Sequence, residues 1–119
     1  MASRNVRWSE AAQCDLCDIV EYIADDSTLN AEGVLARLQV QAESLAQFAE
    51  RGRRLPELRG RKPPHRAQWR ELLVRPWRTV FAIEGDTVLV LAVVDGRRDF
   101  RAWLARRSAV DLSRSLPQA

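Results

Sequence analysis

A chain of 119 residues, 46% hydrophobic and 29% charged, can bury one core without disulfide or metal staples and is too short for two ordinary domains. Its longest apolar run, Val88 to Val94, falls far short of a membrane span, and no signal-peptide core opens the chain, so a soluble cytoplasmic protein is expected. The formal net charge of +3 hides an asymmetry, because residues 1–50 hold three arginines against nine acids (net −6) and residues 51–119 hold sixteen Lys or Arg against seven acids (net +9). An anionic partner therefore belongs with the second half. Of the nineteen Lys and Arg only Lys62 is lysine, and arginine is the better fork for phosphate and carboxylate.

The segment Asn-Val-Arg-Trp at 5–8 is β-prone, and Ser9 offers an N-cap to a helix over Glu10–Ala24 with Glu10 in its first turn. Ala12, Leu16, Ile19, Val20 and Ile23 recur at helical spacing, whereas Asp15, Asp18, Glu21 and Asp25 take other faces. Cys14 and Cys17 form a Cys-x-x-Cys pair. A zinc site needs two more ligands, and the chain offers only His65 in a Pro-rich stretch, so the pair is expected to pack on or beside the apolar face, with no metal and no cofactor. Asn30 is the expected cap of a second helix to about Ala49, with Val34, Leu35, Leu38, Ala42, Leu45 and Phe48 as its stripe and Gly52 as its stop. The two helices make an antiparallel hairpin.

Residues 51–68 carry three prolines, two glycines, seven Lys or Arg and His65, with no core pattern. This is the most basic segment of the chain and reads as a long loop. The period then changes. Residues 69–74, 77–83 and 87–94 are β-rich and separated by hairpin-sized gaps. The first two alternate polar and apolar positions as half-exposed strands do, and the third, apolar on both faces, is expected to be central. Asp99 caps a short helix to about Arg107, followed by a tail at 108–119. The order is β-α-α-β-β-β-α in a single α+β domain spanning 1–119, with its core at about 5–107.

Strand alternation sets Arg70, Leu72 and Val74 on one face and Arg78, Val80 and Ala82 on one face of the next strand. With Arg97 and Arg98 after the third strand, these arginines can converge on one sheet surface suited to a polyanion or to a developing phosphorane charge. They can equally pair with Glu71, Glu84, Asp95 or Asp99 and only solubilise a sheet edge. A sheet face bearing Val74, Val80 and Ala82 among arginines would also call for a covering partner. No Ser-His-acid set, glycine-rich phosphate loop or metal cluster stands beside them.

The stretches VRWSEAAQCDLCDIVEYIA, GRRLPELRG and WRELLVRPWRTVFAIEGDTVLVLAVVDGRRD resemble the RelE/ParE toxins of bacterial type II toxin-antitoxin systems over roughly residues 5–107. The resemblance implies a helical hairpin packed on a twisted antiparallel sheet and a cognate antitoxin that neutralises the toxin. It also implies one of two targets: the ribosome, where RelE-like members cut mRNA, or DNA gyrase, which ParE-like members poison. Arg70, Arg78 and Arg98 fall where RelE-like toxins carry basic catalytic residues. Leu72 and Leu104, however, replace a second basic residue and the catalytic tyrosine, leaving Asp95 as an unsupported candidate base. The long first helix and full-length second helix resemble the ParE subgroup, so a gyrase-directed toxin is the favoured expectation. On that reading Arg70, Arg78, Asp95, Arg97 and Arg98 are target- or antitoxin-binding residues. The alternatives are a ribosome-dependent endoribonuclease and a toxin that now only binds its antitoxin. A homo-oligomer or a toxin-antitoxin hetero-oligomer is the expected assembly.

Overall fold

The computed structural model describes residues 3–58 and 69–106. Strand β1 (Asn5–Trp8) leads into helix α1 (Glu10–Ala24), whose bounds are those its stripe predicts. The Ser9 hydroxyl accepts the Ala12 N–H at 3.0 Å and donates to the Leu91 carbonyl at 3.3 Å, so one buried side chain caps the helix and ties it to the sheet. Ser9→Ala is expected to cost about 1–2 kcal/mol, since it removes a cap and leaves a buried carbonyl short of a donor. A urea midpoint unchanged from the parent would contradict this.

Asp15, assigned to the solvated face by its spacing, instead accepts the Val93 N–H at 3.0 Å. It satisfies a backbone donor just past the point where β1 ends beside the sheet. Cys14 and Cys17 are exposed free thiols rather than packed side chains.

Helix α2 (Thr28–Glu43) starts earlier than expected, because Ser27 rather than Asn30 is the cap and accepts the Asn30 N–H at 3.1 Å. It also stops earlier. The Ser44 hydroxyl donates to the Gln41 carbonyl at 2.6 Å, competing with the next helical turn. The chain then continues as a short helix α3 (Leu45–Phe48) and a 3-10 turn (Ala49–Arg51). Gly52 follows, packed so tightly that a Cβ there would lie 2.7 Å from Cε1 of Phe81 and 3.1 Å from the Glu71 carbonyl oxygen.

Part of the predicted loop is ordered structure. Arg53–Arg54 forms a two-residue strand β2, Leu55 is fully buried, and Pro56–Leu58 is a 3-10 turn. Residues 59–68, including Lys62 and His65, lie outside the described residues, as does the tail from 107. Strands β3 (Arg70–Val74), β4 (Trp77–Glu84) and β5 (Thr87–Asp95) follow within a residue or two of their predicted bounds. Gly85, with φ of 60°, holds the left-handed position of the tight β4–β5 turn. Helix α4 (Phe100–Arg106) is capped by Asp99, whose Oδ1 accepts the Ala102 N–H at 3.2 Å.

The sheet order is β1-β5-β4-β3-β2. Three pairs are antiparallel, but β1 runs parallel to β5, so the sheet is mixed rather than wholly antiparallel. Helical connections, unlike tight turns, do not force reversal of the chain. β5 is interior, as its apolar sequence predicts, while β4 occupies the middle and is buried from Arg78 to Ala82, not half-exposed. One face packs against the helices through Leu16, Leu38, Leu45, Val74, Phe81 and Val93. The other packs Val80, Ala82, Leu91 and Val94 against Leu55, Trp69, Phe100 and Trp103. No described helix is long and apolar enough to cross a membrane.

Candidate functional site

The β3–β4 register pairs Arg70 with Phe81 and Arg78 with Leu73. Directly paired residues share a face, so Arg70 points to the helical side of the sheet and Arg78 to the α4 side. The expected convergence of Arg70 and Arg78 therefore does not occur. Alternation sets the face within each strand, but the offset between the strands, which depends on the turn, puts the two arginines on opposite faces.

Arg70 donates to the carbonyls of Gly52 at 2.8 Å and Glu50 at 3.3 Å, pinning the chain before β2. Arg78 is only 7% exposed. Its Nε donates to Glu71, and its two terminal nitrogens form a fork with Glu57 at 3.0 and 2.7 Å. The guanidinium carbon lies 4.1 Å from the centre of the Phe100 ring, a cation–π contact. Glu71, itself buried, is shared with Arg53. The four charges form one chain, Glu57–Arg78–Glu71–Arg53, clasping the β2 segment to the sheet.

Burial works against the charged form of Arg78, but its hydrogen bonds to Glu57 and Glu71 prevail and raise its pKa. The Arg78 hydrogen bonds likewise hold the Glu57 carboxyl below its ordinary range, against partial desolvation. The sequence named Glu71 among the neutralising partners. It missed Glu57, whose only signal was an acid placed beside the Leu55-Pro56 step.

Past β5 the chain forms a charged clip. Asp95 accepts from the Arg97 backbone N–H at 2.9 Å and from its Nε and Nη2 at 3.0 and 2.7 Å. The Arg97 bonds, then the neighbouring positive charges, bring the Asp95 pKa down from 3.8 to about 2. Asp95 is thus an occupied anion, not a base poised near neutrality. A depressed carboxylate stabilises the fold above its unfolded pKa and ceases to do so as pH falls through the folded value. Stability is accordingly expected to fall between about pH 4 and 2, with a shallower fall in Asp95→Asn; acid titration followed by circular dichroism checks this, and an unchanged profile would contradict it.

Arg98 is exposed, and among the described residues its guanidinium makes no hydrogen bond or ion pair. It borders a cleft of about 640 Å³ with Tyr22, Trp77, Asp95, Arg97 and Trp103. On the neighbouring side, Arg53, Leu73, Arg75, Trp77 and Arg97 line a smaller cleft of about 350 Å³. The structure thus unites Asp95, Arg97 and Arg98 and separates them from Arg70, while the mostly buried Arg78 reaches the smaller cleft beside Arg97 together with its partner Glu57. Val74, Val80 and Ala82 are all buried by the chain's own elements, so the expected apolar sheet face needing a partner is absent. Among the described residues no cluster of three metal-ligating side chains occurs.

The family profile of the ParE toxin of type II toxin-antitoxin system parDE matches residues 6–100. The fold is similar to that in the chromosomal ParDE system from P. aeruginosa, with a TM-score of 0.61 and 23% identity over 78% of this chain and 96% of that one. It is also similar to that in the RelBE2 toxin-antitoxin complex from Mycobacterium tuberculosis, with a TM-score of 0.55 and 21% identity over 78% and 98% of the respective chains. No curated protein matches the sequence.

Proposed function

This chain belongs to the ParE toxin family of type II toxin-antitoxin systems, and from that premise we propose that it arrests growth by binding DNA gyrase, does not cut RNA, and is neutralised by an antitoxin. The observation that carries the reading is the state of Arg78. Stabilising a phosphorane requires donors aimed at the place where charge develops. All three guanidinium nitrogens of Arg78 are committed to carboxylates and its face is covered by Phe100. Arg70 lies on the opposite face and holds backbone carbonyls. Of the three candidate catalytic arginines only Arg98 stands open, and with Leu72 and Leu104 in place of a second basic residue and the tyrosine the set makes a poor ribonuclease. A toxin that acts by binding needs no such constellation.

The antitoxin belongs on the arginine rim. Arg53, Arg75 and Arg97 surround the cleft into which Leu73 projects, 44% exposed, a setting for an acidic segment with an apolar anchor. Solved neighbours of this fold are toxin-antitoxin systems, which supports such a partner. Charge reversal at Arg75 and Arg97 together is expected to slow antitoxin association about tenfold or more at low salt, with the effect shrinking as salt rises. Surface plasmon resonance against the product of the adjacent reading frame checks this; an unchanged association rate would move the antitoxin elsewhere. The target is tested in cells. Expression without antitoxin is expected to induce an SOS reporter and leave mRNA uncut by primer extension. Codon-spaced cuts without SOS induction would overturn the gyrase reading.

A further inference from the structure

We propose that Cys14 and Cys17 form a binding site for a soft, two-coordinate metal cation of the Cu(I) class. The inference is independent of the gyrase reading and of the antitoxin. Both thiols are free and exposed on α1, and they are the only cysteines in the chain. Had they packed on the apolar face, as their spacing suggested, burial would account for them. The buried positions of α1 are instead Ala12 and Leu16, so packing does not explain the pair.

Helix geometry sets what the pair can hold. Residues three apart on a helix are neighbours on one face with Cβ atoms about 5–6 Å apart, wider than the roughly 3.5–4.5 Å that a disulfide requires. Two metal–sulfur bonds of about 2.3 Å each span such a gap without unwinding the turn. The ligand count then selects the ion. A structural zinc ion takes four ligands, and among the described residues no third His, Cys, Asp or Glu gathers with the pair. Asp15, between the two cysteines, is committed to the Val93 N–H. Thiolate sulfur selects soft cations, and a closed-shell monovalent cation is satisfied by two of them. On binding, each thiol forms one sulfur–metal bond and releases its proton to water, so the occupied site carries a single negative charge and no electron is transferred. The linings of the two arginine clefts hold neither cysteine. An ion at the pair would therefore leave the arginines free and brace α1 across Asp15 and Leu16, the residues that tie this turn to the sheet and the core.

The test uses the reduced full-length protein under anaerobic conditions, with Cu(I) presented as its coloured bicinchoninate complex. The protein is expected to withdraw about one Cu(I) per chain, and Cys14→Ser or Cys17→Ser alone should weaken that uptake about hundredfold or more. Far-UV circular dichroism should be unchanged in both variants, since both side chains are exposed. Zn(II) offered as its pyridylazoresorcinol complex should stay with the dye. Failure to take Cu(I) from bicinchoninate, uptake that survives either substitution, or equal uptake of Zn(II) would overturn the proposal. So would about half a Cu(I) per chain in a species of dimeric mass, which would make the site one shared between two copies.

Discussion

Arg78→Ala will unfold at markedly lower urea than the parent, with a stability loss of about 3–5 kcal/mol. The cost comes from what remains. Glu71 is fully buried and would keep only the partly exposed Arg53 as a partner, while Glu57 would lose both of its hydrogen bonds to the sheet. Removing one member of a buried pair strands the other charge in low dielectric, and that penalty exceeds the net value of the pair. Replacing both by apolar residues of similar size, as in Arg78→Met with Glu71→Leu, should recover stability to within about 1–2 kcal/mol of the parent. A loss below about 1 kcal/mol for Arg78→Ala would mean that the clasp is dispensable. The result also bears on assays of activity. Loss of toxicity in Arg78→Ala would report unfolding, so Arg98→Ala, whose side chain is exposed and unbonded, is the cleaner probe of chemistry.

Phe81→Ala should cost a similar amount, about 3–5 kcal/mol, as the largest fully buried side chain in the middle strand is cut back. Its ring also fills the space that a Cβ at position 52 would need. Gly52→Ala alone is expected to cost about 1–3 kcal/mol through overpacking. In the Phe81→Ala background the same change should cost about 1 kcal/mol less, with a remainder from the Glu71 carbonyl, because neighbouring sites that share a space do not add. A double-mutant cycle by urea denaturation measures that coupling. Strict additivity would show that the two residues do not meet.

Much of the fold was legible because it follows from local pattern. Ser9 and the apolar repeat of α1 fix that helix to the residue, and the β-rich runs around Arg75-Pro76 and Glu84-Gly85-Asp86 mark the three long strands. What could not be read locally depends on partners distant in sequence. The break at Ser44 turns on a hydroxyl choosing the Gln41 carbonyl, and Asp15 is drawn inward by Val93, 78 positions away. β2 exists only because two residues of an arginine-rich segment find β3. The site shows the same limit. Arg70 and Arg78 were identifiable as residues of adjacent strands, yet a one-residue difference in register decides whether they share a face. Asp95, Arg97 and Arg98 lie together because they are close in sequence. Glu57 escaped notice because nothing in Leu-Pro-Glu announces a carboxylate folded back onto a strand 21 residues later.

The central claim is that this toxin works by binding gyrase and not by cutting RNA. Its most direct test is a supercoiling assay with purified gyrase, relaxed plasmid and antitoxin-free toxin. The account predicts that supercoiling stops and cleaved plasmid accumulates as toxin approaches the gyrase concentration. Full supercoiling at large toxin excess, from a preparation that still arrests growth, would contradict it.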